Sequence, residues 1–295
     1  MRMLFSTLMI AGSLSAVAQS PLQQQIASIA VDAKGKVSVA CSLPGTKLDC
    51  DYNPHAHVPM QSVFKFPLAI AVLKQVEAGK LSLDQQVRFL PSDRYPGSYS
   101  PLQDAHPDAD VDVPLRELLR LSVSLSDNIA TDILLRLIGG TKTVQTTLDS
   151  LGFSTIHVVD TEAQMHDNET LQYRNYAEPA AMVGLLRMIA DHSPLTPADT
   201  KLLNEWMEGL VSSPKRIRGM LPMGTVVAHK SGTSGIENGV AAATNDVGLI
   251  TLPDGRRLAI AIFVTDSHAD ANTGETVVAR IARAAYDAAV SASAK

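Results

Sequence analysis

At 295 residues, 45% hydrophobic and 19% charged, the chain has enough apolar material for a sizeable core and one or two domains. Its formal net charge of −5, with no basic block, argues against nucleic acid or an anionic membrane as partner.

In chain order, Met1-Arg2, a mostly apolar run from Met3 through Ala11, and Ala16-Val17-Ala18 before Gln19 read as a secretory signal peptide over residues 1–18. Cleavage near Ala18-Gln19 removes one arginine and no acid, leaving a charge near −6. No later stretch is long and apolar enough to anchor the chain, so an exported protein, periplasmic or secreted, is expected. Pro21 to Ser28 predicts a short helix. Lys36 to Ala40 alternates and, after a turn, continues into Leu48 to Tyr52, which predicts a hairpin. Cys41 and Cys50 flank Leu43-Pro44-Gly45-Thr46; a disulfide and two free thiols are both compatible with that spacing.

From Val63 to Val76 nearly every position is apolar on all faces, the pattern of a helix buried inside a domain. Gly79 is a plausible stop, and Pro67 is tolerable only near the first turn. Ser62 then sits at the helix N-terminus with Lys65 one turn on along the same face. A poorly solvated amine beside a hydroxyl can activate it as a nucleophile. Alone, the pair reads more readily as a helix cap with a snorkelling lysine. Ser212-Ser213-Pro214-Lys215 repeats the spacing without an apolar helix after it and is set aside as a decoy.

Residues 81–115, rich in Pro, Asp and Ser, predict a long surface connection with a turn at Tyr95-Pro96-Gly97. Helical spacing follows at Val113 to Val123, Ile129 to Ile138, 143–151, 177–192 and Pro197 to Leu210, the last capped by Thr196 and carrying Trp206. Thr225 to Ala228, Val247 to Leu252 and Leu258 to Val264 read as strands, and Thr276 to Ala289 as an Ala-rich closing helix. The expected fold class is α/β (α+β): an antiparallel five-stranded sheet built from both termini and flanked by helices, with an inserted all-helical domain. The sheet domain spans 19–60 and 215–295, and the helical domain 61–214. The cleft between them is where a small molecule would bind.

Three further segments stand out. Ser126-Asp127-Asn128 occupies a helix–helix break, where an ordinary N-cap would also suffice. Asp160-Thr161-Glu162-Ala163-Gln164-Met165-His166 lies in a loop running to about Asn175. Lys230-Ser231-Gly232-Thr233-Ser234-Gly235 follows an apolar strand, and its lysine, hydroxyls and glycines can approach a carboxylate closely. With Ser62 and Lys65 these occur in the order Ser-x-x-Lys, Ser-Asp-Asn, loop Glu, Lys-Ser-Gly-Thr. Over essentially the whole mature chain the sequence resembles the class A serine β-lactamases. The segments around Glu162 and Lys230 are similar to the PER- and VEB-like branch, which leans towards cephalosporins.

The resemblance implies that Ser62 attacks the β-lactam carbonyl, with the N–H groups of Ser62 and Thr233 as oxyanion hole and Lys65 keeping the serine activated. It implies that Glu162 activates a water for deacylation, and that Ser126 passes a proton to the leaving nitrogen with help from Lys230. Asn128 would hold the substrate's side-chain amide, and Tyr99 would form an aromatic wall. Lys230, Ser231, Gly232, Thr233 and Ser234 would line the seat of its carboxylate. A monomer without cofactor or metal is implied.

Departures gather on one loop. His166 stands where Asn is frequent, Ala163 where Pro is, and Asp132 where Asn is. Asp160 and Asn175 occupy the loop ends that the family often ties by an Arg–Asp pair. A refolded loop and wider cleft are expected, with His166 and Asp132 as loop-positioning residues. Thr244 and Asn245 stand where an arginine is frequent; Arg216, or else Arg218, is expected to supply that charge. His55 and His57 find no partner cluster and read as surface residues, not zinc ligands.

The alternative functions are a D-alanyl-D-alanine carboxypeptidase or other penicillin-binding protein, and a β-lactam sensor that is acylated without turnover. A deacylating Glu162 argues against both.

Overall fold

The computed structural model describes residues 19–293; the expected signal peptide, residues 1–18, lies outside them. The helices are α1 Pro21–Ala30, α2 Lys65–Glu77, α3 Pro101–Ala105, α4 Leu115–Ser124 and α5 Asn128–Ile138, then α6 Thr141–Ser150, α7 Glu162–Asp167, α8 Pro179–Asp191, α9 Pro197–Glu208 and α10 Ala271–Ser293. The strands are β1 Lys36–Ser42, β2 Val58–Pro59, β3 Gln86–Phe89, β4 Val111–Pro114 and β5 Ile156–His157, then β6 Tyr176–Ala177, β7 Val227–Thr233, β8 Ile236–Glu237, β9 Val240–Thr251 and β10 Arg257–Ser267.

Five strands form one antiparallel sheet in the order β1-β10-β9-β7, with β8 added beside β9. One strand comes from the N-terminal part and four from the C-terminal part, as expected. Strand alternation gives the sheet two apolar faces. Val37, Ile250, Ile260 and Ile262 pack with residues of α1 and α10, whereas Ala40, Val247, Leu249 and Phe263 join the larger core around α2. In α2, Phe66, Leu68, Ile70 and Leu73 are all buried, which fits an element apolar on every face. Each such side chain contributes about 1.5–3 kcal/mol by leaving water.

Several expectations need correction. The hairpin partner of β1 is absent: residues 48–52 form no strand beside it, their ladder with it being the single bridge of Val39 and Tyr52, and β1 pairs with β10 instead. A disulfide joins Cys41 to Cys50, closing that loop. The 81–115 stretch is more than a surface connection, since β3 and β4 pair within it and α3 lies between them. The mainly helical stretch also contributes β5 and β6, which join β2 in a small three-stranded sheet. β7 extends through the Lys-Ser-Gly-Thr segment, and β9 begins seven residues earlier than its apolar run.

Candidate active site

The site is built where β2, α2 and β7 converge. Met60 N–H donates to Asn175 O, and Gln61–Phe64 then form a 3-10 turn that runs straight into α2. Gln61 takes a left-handed backbone (φ 49°), which sets the direction of the turn carrying Ser62. Pro67 falls in the first turn of α2, where its missing N–H leaves no gap. Lys65 is fully buried on the same helix. Its Nζ donates to Ser126 O at 2.7 Å and Asn128 Oδ1 at 2.6 Å, and stands 3.0 Å from Glu162 Oε1. Two hydrogen bonds and the neighbouring carboxylate oxygen therefore enclose the buried nitrogen.

In the Ser126-Asp127-Asn128 break the cap is Asp127. Its Oδ1 accepts Ala130 N–H and the Ser100 hydroxyl, and Oδ2 accepts Leu102 N–H. Ser126 has φ 59°, and this left-handed turn carries its hydroxyl to Lys230, whose Nζ donates to Ser126 Oγ at 2.9 Å. Burial, and then Lys65, push the Lys230 amine well below the ordinary lysine range.

Close approach of β7 to the nucleophile turn depends on Gly232. A Cβ there would stand 2.2 Å from Met60 O and 3.3 Å from Ser62 N. Asn245 reinforces the approach from β9 by donating to Pro59 O at 2.7 Å. Of the two candidate arginines, Arg216 reaches this strand. It donates to Gly232 O, Asn245 O and Thr233 Oγ1 at 2.7–3.0 Å, and its Nε lies 3.4 Å from Glu275. Arg218 meets the same strand only at its far end, donating to Val227 O at 2.8 Å, away from the Lys-Ser-Gly-Thr segment. Ser234 is spent on the backbone of Ala243 and Gly235.

Glu162 is the first residue of α7 rather than part of an irregular loop, with Thr161 and Gln164 forming a capping box. Asp132 on α5 accepts Glu162 N–H at 2.9 Å on one oxygen and Ala163 N–H at 2.8 Å on the other. Burial, and then the neighbouring Glu162, push the Asp132 carboxyl up to about 7. The segment ends are tied by Asn175, which accepts Val159 and Asp160 N–H and donates to Asp160 O, while Asp160 pairs with Arg174. Gln172 accepts from Gln61, and Tyr173 donates to Asp266. His166 lies tilted against Tyr95, ring centres 5.2 Å apart.

Two adjoining cavities share Asn128 and Thr233. One of about 220 Å³ is lined by Ser62, Tyr99, Ser126 and Ser231 together with Ser212 and Ser213. Those last two serines were set aside as a decoy on sequence, yet Ser212 Oγ lies 3.3 Å from Ser231 Oγ. The larger, about 490 Å³, lies beside the nucleophile between Glu162, His166 and Tyr173 on one side and Thr233, Glu237 and Val240 on the other. Ser62 shares its cavity with Ser126 and Asn128, which bind the buried Lys65 and Lys230, and Lys65 lies beside the Glu162 carboxylate; a hydroxyl, two amines and a carboxylate gathered in this way are the equipment of acyl transfer through a covalent intermediate.

Among the described residues no group of three or more His, Cys, Asp or Glu is arranged to hold a metal, and no helix is long and apolar enough to cross a membrane. His55 and His57 both address Glu178, and His57 stacks on Tyr176.

The sequence profile of the beta-lactamase enzyme family matches residues 21–289. The extended-spectrum beta-lactamase PER-1 of Pseudomonas aeruginosa is 42% identical over 91% of this chain and 88% of its own length. Beta-lactamase VEB-1 of Pseudomonas aeruginosa is 39% identical over 85% of each. The crystal structure of a class A beta-lactamase representative from Bacteroides cellulosilyticus superposes with a TM-score of 0.86 at 32% identity, covering 92% of this chain and 97% of that one.

Proposed function

This chain belongs to the beta-lactamase enzyme family, with class A relatives, and from that footing we propose that it hydrolyses the β-lactam ring of penicillins and cephalosporins through an acyl-enzyme on Ser62. The Ser62 hydroxyl attacks the ring carbonyl, whose oxygen gathers negative charge between the N–H groups of Ser62 and Thr233. The Gly232 approach supports that hole, because it brings β7 against the nucleophile turn. Ser126 passes a proton to the departing ring nitrogen, backed by Lys230. Glu162 then draws a proton from water, and the hydroxide equivalent cleaves the ester. Lys65, bridging Ser126, Asn128 and Glu162, links the two half-reactions.

Substrate is held by Asn128 at its side-chain amide and by Tyr99 at one wall. Ser231, Thr233, Lys230 and Arg216 receive the carboxylate. Asp132 positions Glu162 through α7, and His166 shapes the larger cavity with Tyr95. The protein acts as a monomer on a small-molecule substrate, without cofactor. Residues 1–18 direct export to the periplasm. The sheet unit comprises 19–60 and 215–295, with the helical unit 61–214 inserted.

The observation that carries the reading is the Glu162 carboxylate 3.0 Å from Lys65 Nζ beside the Ser62 turn. A carboxypeptidase or a sensor has no need of such a base. Turnover of a chromogenic cephalosporin, with intact-mass measurement on wild type and Glu162→Gln, tests it. Rapid turnover by wild type and a persistent adduct on the variant are expected. A persistent adduct on wild type would overturn the proposal in favour of a peptidase or sensor.

A further inference from the structure

The roles assigned above leave one buried pair unused. His229 and Asp246 are both fully buried; Asp246 faces Ser231 in the β7–β9 register. His229 Nδ1 lies 2.9 Å from each Asp246 oxygen; since a carboxylate only accepts, Nδ1 carries the proton. The other ring nitrogen, Nε2, is buried without a hydrogen-bond partner, so the imidazole's polar bonding is directed to Asp246 alone. Asp246 also accepts Ile217 N–H at 3.1 Å. Ile217 directly follows Arg216, so this bond holds the backbone from which the guanidinium reaches Gly232, Asn245 and Thr233.

Charge adds to the geometry. Lys230 and Arg216 are both buried, and like charges in such a setting repel strongly unless a counter-charge lies near. Burial lowers both cations, and Asp246 opposes the shift in each. For Arg216 the other opposing charge is Glu275 at 3.4 Å; for Lys230 it is Glu162, already paired with Lys65.

We propose that Asp246, held by His229, is a positioning residue for substrate recognition: it fixes Arg216 and balances the Arg216–Lys230 pair that receives the substrate carboxylate. Asp246 touches no substrate itself. The inference rests on the reading of Arg216 and Lys230 as carboxylate receptors, and the test separates the two.

The measurement is kcat and KM for one cephalosporin as its free acid and as its methyl ester, in wild type, Arg216→Ala, Asp246→Asn and His229→Gln. Wild type is expected to prefer the acid. Asp246→Asn is expected to shrink that preference at least tenfold through KM, with kcat for the acid held within about threefold, as in Arg216→Ala. His229→Gln should shift it the same way by less. Acid and ester falling together in Asp246→Asn, or an unchanged preference, would overturn the inference while the receptor reading stands. No acid preference in wild type would overturn both. Should Asp246→Asn fail to fold, the acid-to-ester ratio of His229→Gln decides by the same criterion.

Discussion

Lys65 Nζ stands 3.0 Å from Glu162 Oε1, a pair with almost no solvent contact formed between α2 and the first residue of α7. Breaking a buried pair by removing one partner typically costs about 3–5 kcal/mol, because the remaining charge is left uncompensated. Lys65→Met should destabilise by that order, and adding Glu162→Gln should recover part of the loss. Urea unfolding of the two single variants and the double variant checks this. Strict additivity would mean the two groups are not coupled in the folded protein.

Asp132 gives the protein a pH dependence of definite sign. Its carboxyl rises from 3.8 to about 7 on folding, so between those values the folded state binds more protons than the unfolded state. Its contribution therefore lowers stability progressively as pH rises from about 4 to about 7. Asp132→Asn should flatten that part of the stability profile, read as melting temperature against pH. The amide has one acceptor oxygen for the two N–H groups of Glu162 and Ala163, so the variant should also deacylate more slowly, by on the order of tenfold. Burst kinetics separate that loss from acylation.

The parts of this site legible in the sequence were those whose context is local. Ser62 and Lys65 preface an unbroken apolar run, and Ser126-Asp127-Asn128 fills a helix break. What escaped depends on partners distant in the chain. The start of β9 is hidden because Asn245 and Asp246 interrupt its apolar pattern; the Asn245 amide nitrogen donates to Pro59 O, and the Asp246 carboxylate is met by His229 and Ile217 N–H. The sequence excluded an Arg–Asp tie between residues 160 and 175, but it could not show that one amide, Asn175, would bind three backbone groups instead. Likewise, the spacing of Cys41 and Cys50 left their bond open until the Val39–Tyr52 pairing brought the two segments together.

Gly232→Ala should separate folding from catalysis. Its Cβ would meet Met60 O at 2.2 Å, and backbone on both sides has to move apart. The displacement acts on the Ser62 N–H and Thr233 N–H of the proposed oxyanion hole, where loss of one donor costs about 10²–10³ in rate. A comparable fall in the acylation rate is expected while the far-ultraviolet circular dichroism stays that of the wild type. Near-wild-type acylation would remove Thr233 from the oxyanion hole.

Ser126 combines a hydroxyl that Lys230 holds at 2.9 Å with a backbone φ of 59°, a conformation costly for any residue with a Cβ. Two substitutions resolve the two properties. Ser126→Ala removes the hydroxyl and keeps the strained geometry, whereas Ser126→Gly removes both the hydroxyl and the steric penalty, at some cost in unfolded-state entropy. Both should slow acylation by about 10²-fold or more, because the leaving nitrogen loses its proton donor. Their stabilities should differ in the opposite sense to the usual helix or strand result, with the glycine variant more stable than the alanine variant by about 1 kcal/mol. Pre-steady-state acylation and urea unfolding on the same preparations give the two readouts. An alanine variant as stable as the glycine variant would mean that the turn relaxes out of the left-handed region once the hydroxyl is gone, and that the Lys230 contact, not the surrounding backbone, holds Ser126 in place.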